Sequence, residues 1–83
     1  MSVTVYTTGP ECHKCNLTKN ALNKGGIPYT EVLLSDDPEA AQRFRDRGML
    51  IAPVVVTDDE TWSDFRIDKI RALIKAQKAL AAA

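Results

Sequence analysis

The sequence predicts an α/β fold in which a four-stranded mixed sheet is flanked by three helices, in the order β-α-β-α-β-β-α. The first three elements are a strand, a helix of about ten residues and a second strand, and such a βαβ unit implies parallel strands with a right-handed crossover. Two short strands farther along are separated by an acidic turn, which predicts an antiparallel hairpin. The length of 83 residues leaves room for one small domain, over residues 1–83.

The first strand is followed by a Cys-x-x-Cys motif. Residues 3–7 alternate apolar and β-branched side chains, as a strand does. Thr8-Gly9-Pro10 interrupts this pattern, and apolar residues then recur at helical spacing up to Gly25-Gly26, which we expect to end the helix. Because the intervening loop is short, Cys12 is expected at or just before the first helical turn.

The second strand and helix have clear boundary signals. Residues 29–34 predict a strand, and Asp37-Pro38-Glu39 supplies an N-cap, a proline at the first helical position and an acid in the first turn. The helix is expected to run to about Arg47 and to end at Gly48. Its inward-facing residues are expected to be Ala40, Ala41 and Phe44.

The chain from residue 49 onward predicts a hairpin and a helix. Residues 49–57 form a loop that leads into the third strand, with Pro53 at its start because proline has no N–H for the middle of a ladder. Asp58-Asp59-Glu60 predicts a turn, and residues 61–63 a short fourth strand. Apolar residues with a period of 3.6 predict a final helix from about Ile67 to Ala82.

The composition excludes several functional classes. Lys plus Arg and Asp plus Glu each number 11, so the formal net charge is zero. Binding to nucleic acid or to an acidic membrane surface needs a basic excess, and we expect neither. No apolar run approaches the roughly 20 residues that cross a bilayer. The N-terminus shows no signal-peptide pattern, so we expect a reducing, cytoplasmic location.

The two cysteines predict redox chemistry. A thiolate is the nucleophile in disulfide exchange, and Cys12 at a helix N-terminus would meet unpaired N–H groups that favour the charged form. Lys14 and a partly protonated His13 would add positive charge. Cys15 lies one turn into the helix on the same face. We therefore expect Cys12 to attack a substrate disulfide and Cys15 to resolve the mixed disulfide.

Other interpretations of the motif are less favoured. A structural disulfide would close a very short loop in a reducing compartment and would gain little. A zinc site needs about four ligands, and only Cys12, Cys15 and the crowded His13 are available within one chain. We expect no bound metal, although a metal shared across a dimer stays open. His13 itself is expected to be an exposed loop or first-turn residue rather than a catalytic base.

Five segments spread over nearly the whole chain carry a further signal: Val-Thr-Val-Tyr-Thr at residues 3–7, Cys-x-x-Cys at 12–15, Gly-Ile-Pro-Tyr at 26–29, Ala-Pro-Val-Val-Val at 52–56, and Trp-Ser-Asp-Phe-Arg at 62–66. Together they resemble the NrdH-redoxins, a glutaredoxin-like branch of the thioredoxin superfamily. The last segment is the most discriminating, because NrdH-redoxins typically carry Trp-Ser-Gly-Phe-Arg-Pro-Asp there. A Gly-Gly-x-Asp-like stretch, which helps glutathione-dependent glutaredoxins to bind glutathione, is missing.

The resemblance implies a minimal thioredoxin fold with sheet order 2-1-3-4, the third and fourth strands being antiparallel to the first two. It implies a cis bond before Pro53, with the backbone of Ala52 beside Cys12, where an extended edge can pair with a substrate chain. It also implies that the segment at residues 62–66 contacts the reductase and helps to close the glutathione cleft. The residues of this segment expected to bind partners are Trp62, Ser63, Phe65 and Arg66. The active-site loop would comprise Pro10, Glu11, His13 and Lys14.

The resemblance further implies how electrons flow. NADPH would supply them through a flavin-dependent thioredoxin reductase, and they would pass to the large subunit of a class Ib ribonucleotide reductase. The redoxin itself would hold no cofactor besides its Cys12–Cys15 disulfide, and we expect a monomer. Two alternatives stay open: a glutathione-dependent glutaredoxin, and a non-catalytic thioredoxin-fold module that senses redox state or binds a partner.

Some residues depart from the family pattern or have a second interpretation. Asp64 replaces the family glycine, and aspartate tolerates a positive φ better than most residues if one is required there. Glu11 places negative charge beside Cys12 and opposes thiolate formation. Trp62 and Phe65 are equally consistent with core packing of the last hairpin. Arg66 is expected to pair with one of three acids: Asp68, Asp36 or Asp37.

Overall fold

The computed structural model describes residues 2–82, and its order of elements is the predicted one. The helices and strands are β1 Thr4–Thr7, α1 His13–Lys24, β2 Thr30–Leu33, α2 Pro38–Asp46, β3 Val54–Val56, β4 Thr61–Ser63 and α3 Ile67–Ala82. A 3₁₀ turn over Leu34–Asp36, which the sequence did not predict, joins β2 to α2.

The four strands form one mixed sheet in the order β2-β1-β3-β4, which confirms the expected order. β1 and β2 are parallel, and β3 is antiparallel to β1, with Val5 opposite Val55. β4 is antiparallel to β3, with Val55 opposite Trp62. The expectation that both β3 and β4 oppose the first two strands was therefore wrong for β4. A hairpin reverses the chain, so β4 again runs parallel to β1.

The sheet carries a hydrophobic cluster on each face, because successive side chains of a strand point to opposite sides. The larger cluster joins the sheet to α1 and α3, and its buried members are Val3, Val5, Leu22, Ile27, Val55, Trp62 and Ile70. The smaller one joins the sheet to α2 through Ala40, Phe44 and Val54. The rings of Tyr6 and Phe44 meet edge to face there, with centroids 5.0 Å apart.

The predicted helix boundaries are confirmed by their capping contacts. Asp37 caps α2, since its Oδ1 accepts a hydrogen bond from the Ala40 N–H at 3.1 Å, and Pro38 begins the helix. At the end of α1, Gly26 takes a φ of +71°, a conformation in which glycine is free of strain. None of the helices that the structure describes is long and apolar enough to cross a membrane.

Candidate active site

The two cysteines lie at the start of α1. Cys12 is the N-cap residue, with extended backbone angles, and its Sγ accepts a hydrogen bond from the Cys15 N–H at 3.2 Å. The two residues are joined by a disulfide, and their Cα atoms are 5.2 Å apart. Cys12 is partly exposed, whereas Cys15 has an exposed fraction of 0%. Cys12 is therefore the more accessible residue of the pair.

The N-terminus of α1 favours negative charge on Cys12. The first backbone N–H groups of a helix lack intrahelical partners and carry the positive end of its dipole. The first turn of α1 contains no acidic residue that would offset this. His13 is exposed as expected, and Glu11 is exposed on the loop before the helix. The helix terminus is therefore a clear structural cause favouring a Cys12 thiolate once the disulfide is reduced.

The loop before α1 is held by two hydrogen bonds. The Cys12 N–H donates to the Gly9 carbonyl at 3.2 Å, and Asn16 Nδ2 donates to the Pro10 carbonyl at 2.9 Å. The contribution of Asn16 was missed at the level of sequence. A polar amide in the first turn of a helix that follows a Gly-Pro loop is the signal that could have found it.

Lys14 contacts the segment between β4 and α3. Its Nζ lies 2.9 Å from Asp64 Oδ1, which also accepts a hydrogen bond from the Phe65 N–H at 2.7 Å. These two contacts, that of Lys14 being the larger, hold the pKa of Asp64 below its ordinary value of 3.8. Lys14, which was expected to supply positive charge to Cys12, is thus paired with a carboxylate from another part of the chain.

Asp64 also contacts the segment around the cis-proline. The Ala52–Pro53 bond is cis, as expected, and Asp64 has a φ of +75°, the positive value that its position was suspected to require. The Asp64 N–H donates to the carbonyls of Ile51 at 3.1 Å and Pro53 at 2.9 Å. The motif, the cis-proline segment and the β4–α3 turn therefore meet at Asp64.

The residues expected to bind partners differ in exposure. Trp62 is only 4% exposed and belongs to the larger core cluster, so its ring packs in the core as the second interpretation proposed. Phe65 is half-buried against the same cluster, and Ser63 is half-buried as well. Arg66 is exposed and binds both oxygens of Asp68, at 3.0 and 2.8 Å. This pairing lowers the pKa of Asp68 to about 2.

An apolar groove adjoins these segments, and sequence reasoning missed it. Its volume is about 280 Å³, and it reaches the start of the β1–α1 loop at Thr8 and the cis-proline segment at Ala52. Leu50, 74% exposed, and Ile51, 47% exposed, form part of its lining. The signal was the Met-Leu-Ile run at residues 49–51, where a loop would be expected to carry polar side chains.

A metal centre finds no support in the arrangement of side chains. Among the residues that the structure describes, no group of three or more His, Cys, Asp or Glu side chains is placed to hold a metal ion. The two sulfurs of the motif are joined to each other instead.

Comparisons with known proteins agree on one family. The family profile for glutaredoxin matches residues 3–62. The glutaredoxin-like protein NrdH of Escherichia coli K12 is 37% identical over 82 residues, which are 99% of this chain and 100% of the relative. The NrdH protein of Lactococcus lactis subsp. cremoris is 31% identical over 71 residues, 86% of this chain and 97% of the relative.

A solved structure shows the same architecture. The glutaredoxin-like protein NrdH-redoxin from Escherichia coli superposes with a TM-score of 0.81 and 37% identity, over 88% of this chain and 95% of that one. A Cys-x-x-Cys pair at the start of α1 in this fold is a dithiol site for disulfide exchange. The chain therefore belongs to the NrdH group of glutaredoxin-like proteins and is a thiol–disulfide oxidoreductase with a thioredoxin fold.

Proposed function

We propose that this protein reduces disulfides in other proteins, with Cys12 as the attacking thiol and Cys15 as the resolving thiol. The Cys12 thiolate attacks one sulfur of the substrate disulfide, forms a mixed disulfide and releases the other substrate sulfur as a thiol. The Cys15 thiolate then attacks the Cys12 sulfur, closes the Cys12–Cys15 bond and releases the second substrate thiol. Two electrons pass to the substrate in each cycle.

The difference in exposure between the two cysteine residues supports this assignment. Cys12 is partly exposed, whereas Cys15 is completely buried, so a bulky substrate disulfide meets Cys12 first. Cys12 also caps α1, where unpaired N–H groups stabilise a thiolate. The hydrogen bond from the Cys15 N–H to Cys12 Sγ supports the same charge.

We propose that the substrate chain runs along the cis-proline segment. Ala52 and Pro53 lie just before β3, and backbone hydrogen bonds from this segment would hold an extended peptide beside Cys12. The apolar groove that begins at Thr8 and Ala52 would take side chains that flank the substrate cysteine. The end of β4 and the turn after it would also contact the partner, through Ser63, Phe65 and Arg66. Trp62 would support these residues from the core.

The electron source and final acceptor are proposed from the relatives. The Escherichia coli NrdH-redoxin is described as having a thioredoxin-like activity profile. We propose that electrons come from NADPH through a flavin-dependent thioredoxin reductase and pass to the large subunit of a class Ib ribonucleotide reductase. The chain would act as one monomeric domain in the cytoplasm.

A coupled assay tests the electron source. Insulin disulfide reduction is followed as NADPH oxidation, once with thioredoxin reductase and once with glutathione and glutathione reductase. We expect turnover with thioredoxin reductase and at least about tenfold less with glutathione. A protein in which Cys12 and Cys15 are both serine provides the blank. Faster turnover with glutathione would instead make the protein a glutathione-dependent glutaredoxin.

A further inference from the structure

The cation nearest in sequence to both cysteines is paired with a carboxylate that is itself held in place. Lys14 lies between Cys12 and Cys15, and its Nζ is 2.9 Å from Asp64 Oδ1. Asp64 is fixed by its own backbone, because its N–H donates to the carbonyls of Ile51 and Pro53. The same Oδ1 accepts the Phe65 N–H at 2.7 Å. Contacts other than the one with Lys14 thus also hold Asp64 in place.

The other charged groups near the Lys14–Asp64 pair do not take the place of Lys14 beside the cysteines. Arg66, on the same turn as Asp64, donates from Nε and from one terminal amino group to Asp68. Glu11 and His13 are exposed on the loop and in the first turn of α1. Besides the α1 terminus, Lys14 is therefore the permanent cation of the motif, and Asp64 is the group that holds it.

We propose that Asp64 is a positioning residue that restrains the reactivity of Cys12 by holding Lys14. A cation near a thiol favours its thiolate, and an ion pair weakens that effect because the carboxylate offsets the charge and fixes where the ammonium lies. The negative charge of Asp64 itself acts in the same direction. This inference rests on the proposed role of Cys12 as the attacking thiol.

Asp64→Asn separates the charge of this residue from its structural role. Asparagine tolerates a positive φ and keeps an oxygen for the Phe65 N–H, so the turn is preserved while the charge is removed. In a Cys15→Ser protein, Cys12 is the sole thiol, and its ionisation is followed by the ultraviolet absorbance of the thiolate. We expect D64N to lower the Cys12 pKa and to speed iodoacetamide alkylation about threefold at a pH below that pKa. Asp59→Asn, in the β3–β4 turn, is the control with the same change of charge.

Lys14→Met completes a double-mutant cycle. Removing Lys14 should raise the Cys12 pKa more in the D64N protein than in the protein with Asp64. The reason is that the Lys14 charge is unpaired with Asp64 only in the D64N protein. The D64N shift should shrink at high ionic strength. An unchanged Cys12 pKa in D64N, an equal shift in D59N or strict additivity of the two changes would overturn the proposal. A Cys15→Ser protein whose Cys12 does not react with a disulfide would overturn the proposed function instead.

Discussion

Glu31 shows how one residue makes the fold sensitive to acid. It lies on the edge strand β2, where it accepts hydrogen bonds from Thr7 Oγ1 at 2.9 Å and from Lys19 Nζ at 3.1 Å. The Thr7 hydroxyl is the larger of these influences, and together they hold the pKa of Glu31 below its ordinary value of 4.5. A carboxyl whose pKa is lowered by folding adds stability above its unfolded pKa and loses it as the pH falls through its folded pKa.

Glu31→Gln should therefore destabilise the protein at neutral pH and make little difference in acid. The variant lacks the charge that Lys19 pairs with, while wild-type Glu31 loses that charge only below its lowered pKa. Urea unfolding at neutral pH and at several values below 4.5 measures the difference between the two proteins. Glu11→Gln, in an exposed loop, is the matched control. A difference that stays constant down to strongly acidic pH would contradict this account.

The helices α1 and α3 approach closely at Gly25, just after the end of α1. A Cβ atom at this position would overlap Cγ1 and Cδ1 of Ile74 on α3. The backbone of Gly25 has a φ of −82° and a ψ of −2°, which other residues adopt without strain. Close packing between two helices, rather than backbone freedom, is thus what requires glycine here.

Gly25→Ala should cost about 1–3 kcal/mol of unfolding free energy, because overpacking forces Ile74 out of its place. In an Ile74→Ala protein, the same change should cost nothing or stabilise slightly, since the overlapping atoms are gone and alanine restricts the unfolded chain. Urea unfolding of the four proteins of this cycle gives the coupling. Equal costs in the two backgrounds would show that the helix contact is not the reason for glycine.

At the scale of the whole molecule, the net charge of zero implies that the choice of partner depends on local surfaces. A chain with 11 basic and 11 acidic residues exerts little long-range steering on a partner. What it offers beside the cis-proline segment is an apolar groove with the exposed Leu50 and Ile51. Affinity for a partner should therefore depend weakly on ionic strength and strongly on these two side chains.

Much of this architecture could be predicted because local signals and global fold agree. Asp37-Pro38 marks the start of α2, and the Cys-x-x-Cys pair after the first strand marks the start of α1. Some contacts escaped prediction because they join distant parts of the chain. The Lys14–Asp64 pair joins residues 50 positions apart, and no local pattern encodes it.

The direction of β4 and the position of Trp62 show the same limit. The hairpin itself was predicted, but the predicted direction of β4 relative to β1 was wrong. The antiparallel pairing of β4 with β3 corrects it. Both the core and the surface interpretations of Trp62 suited an aromatic residue on a short strand. The ring is buried because Trp62 lies opposite Val55, which faces the larger core cluster.

Trapping of the mixed disulfide distinguishes the attacking role of Cys12 from the resolving role of Cys15. Cys15→Ser and Cys12→Ser proteins are each mixed with a peptide disulfide under non-reducing conditions, and the adducts are located by mass spectrometry of proteolytic fragments. We expect one peptide bound at Cys12 in the Cys15→Ser protein and little adduct at the buried Cys15 in the Cys12→Ser protein. Comparable adducts in both variants, or an adduct only at Cys15, would contradict it.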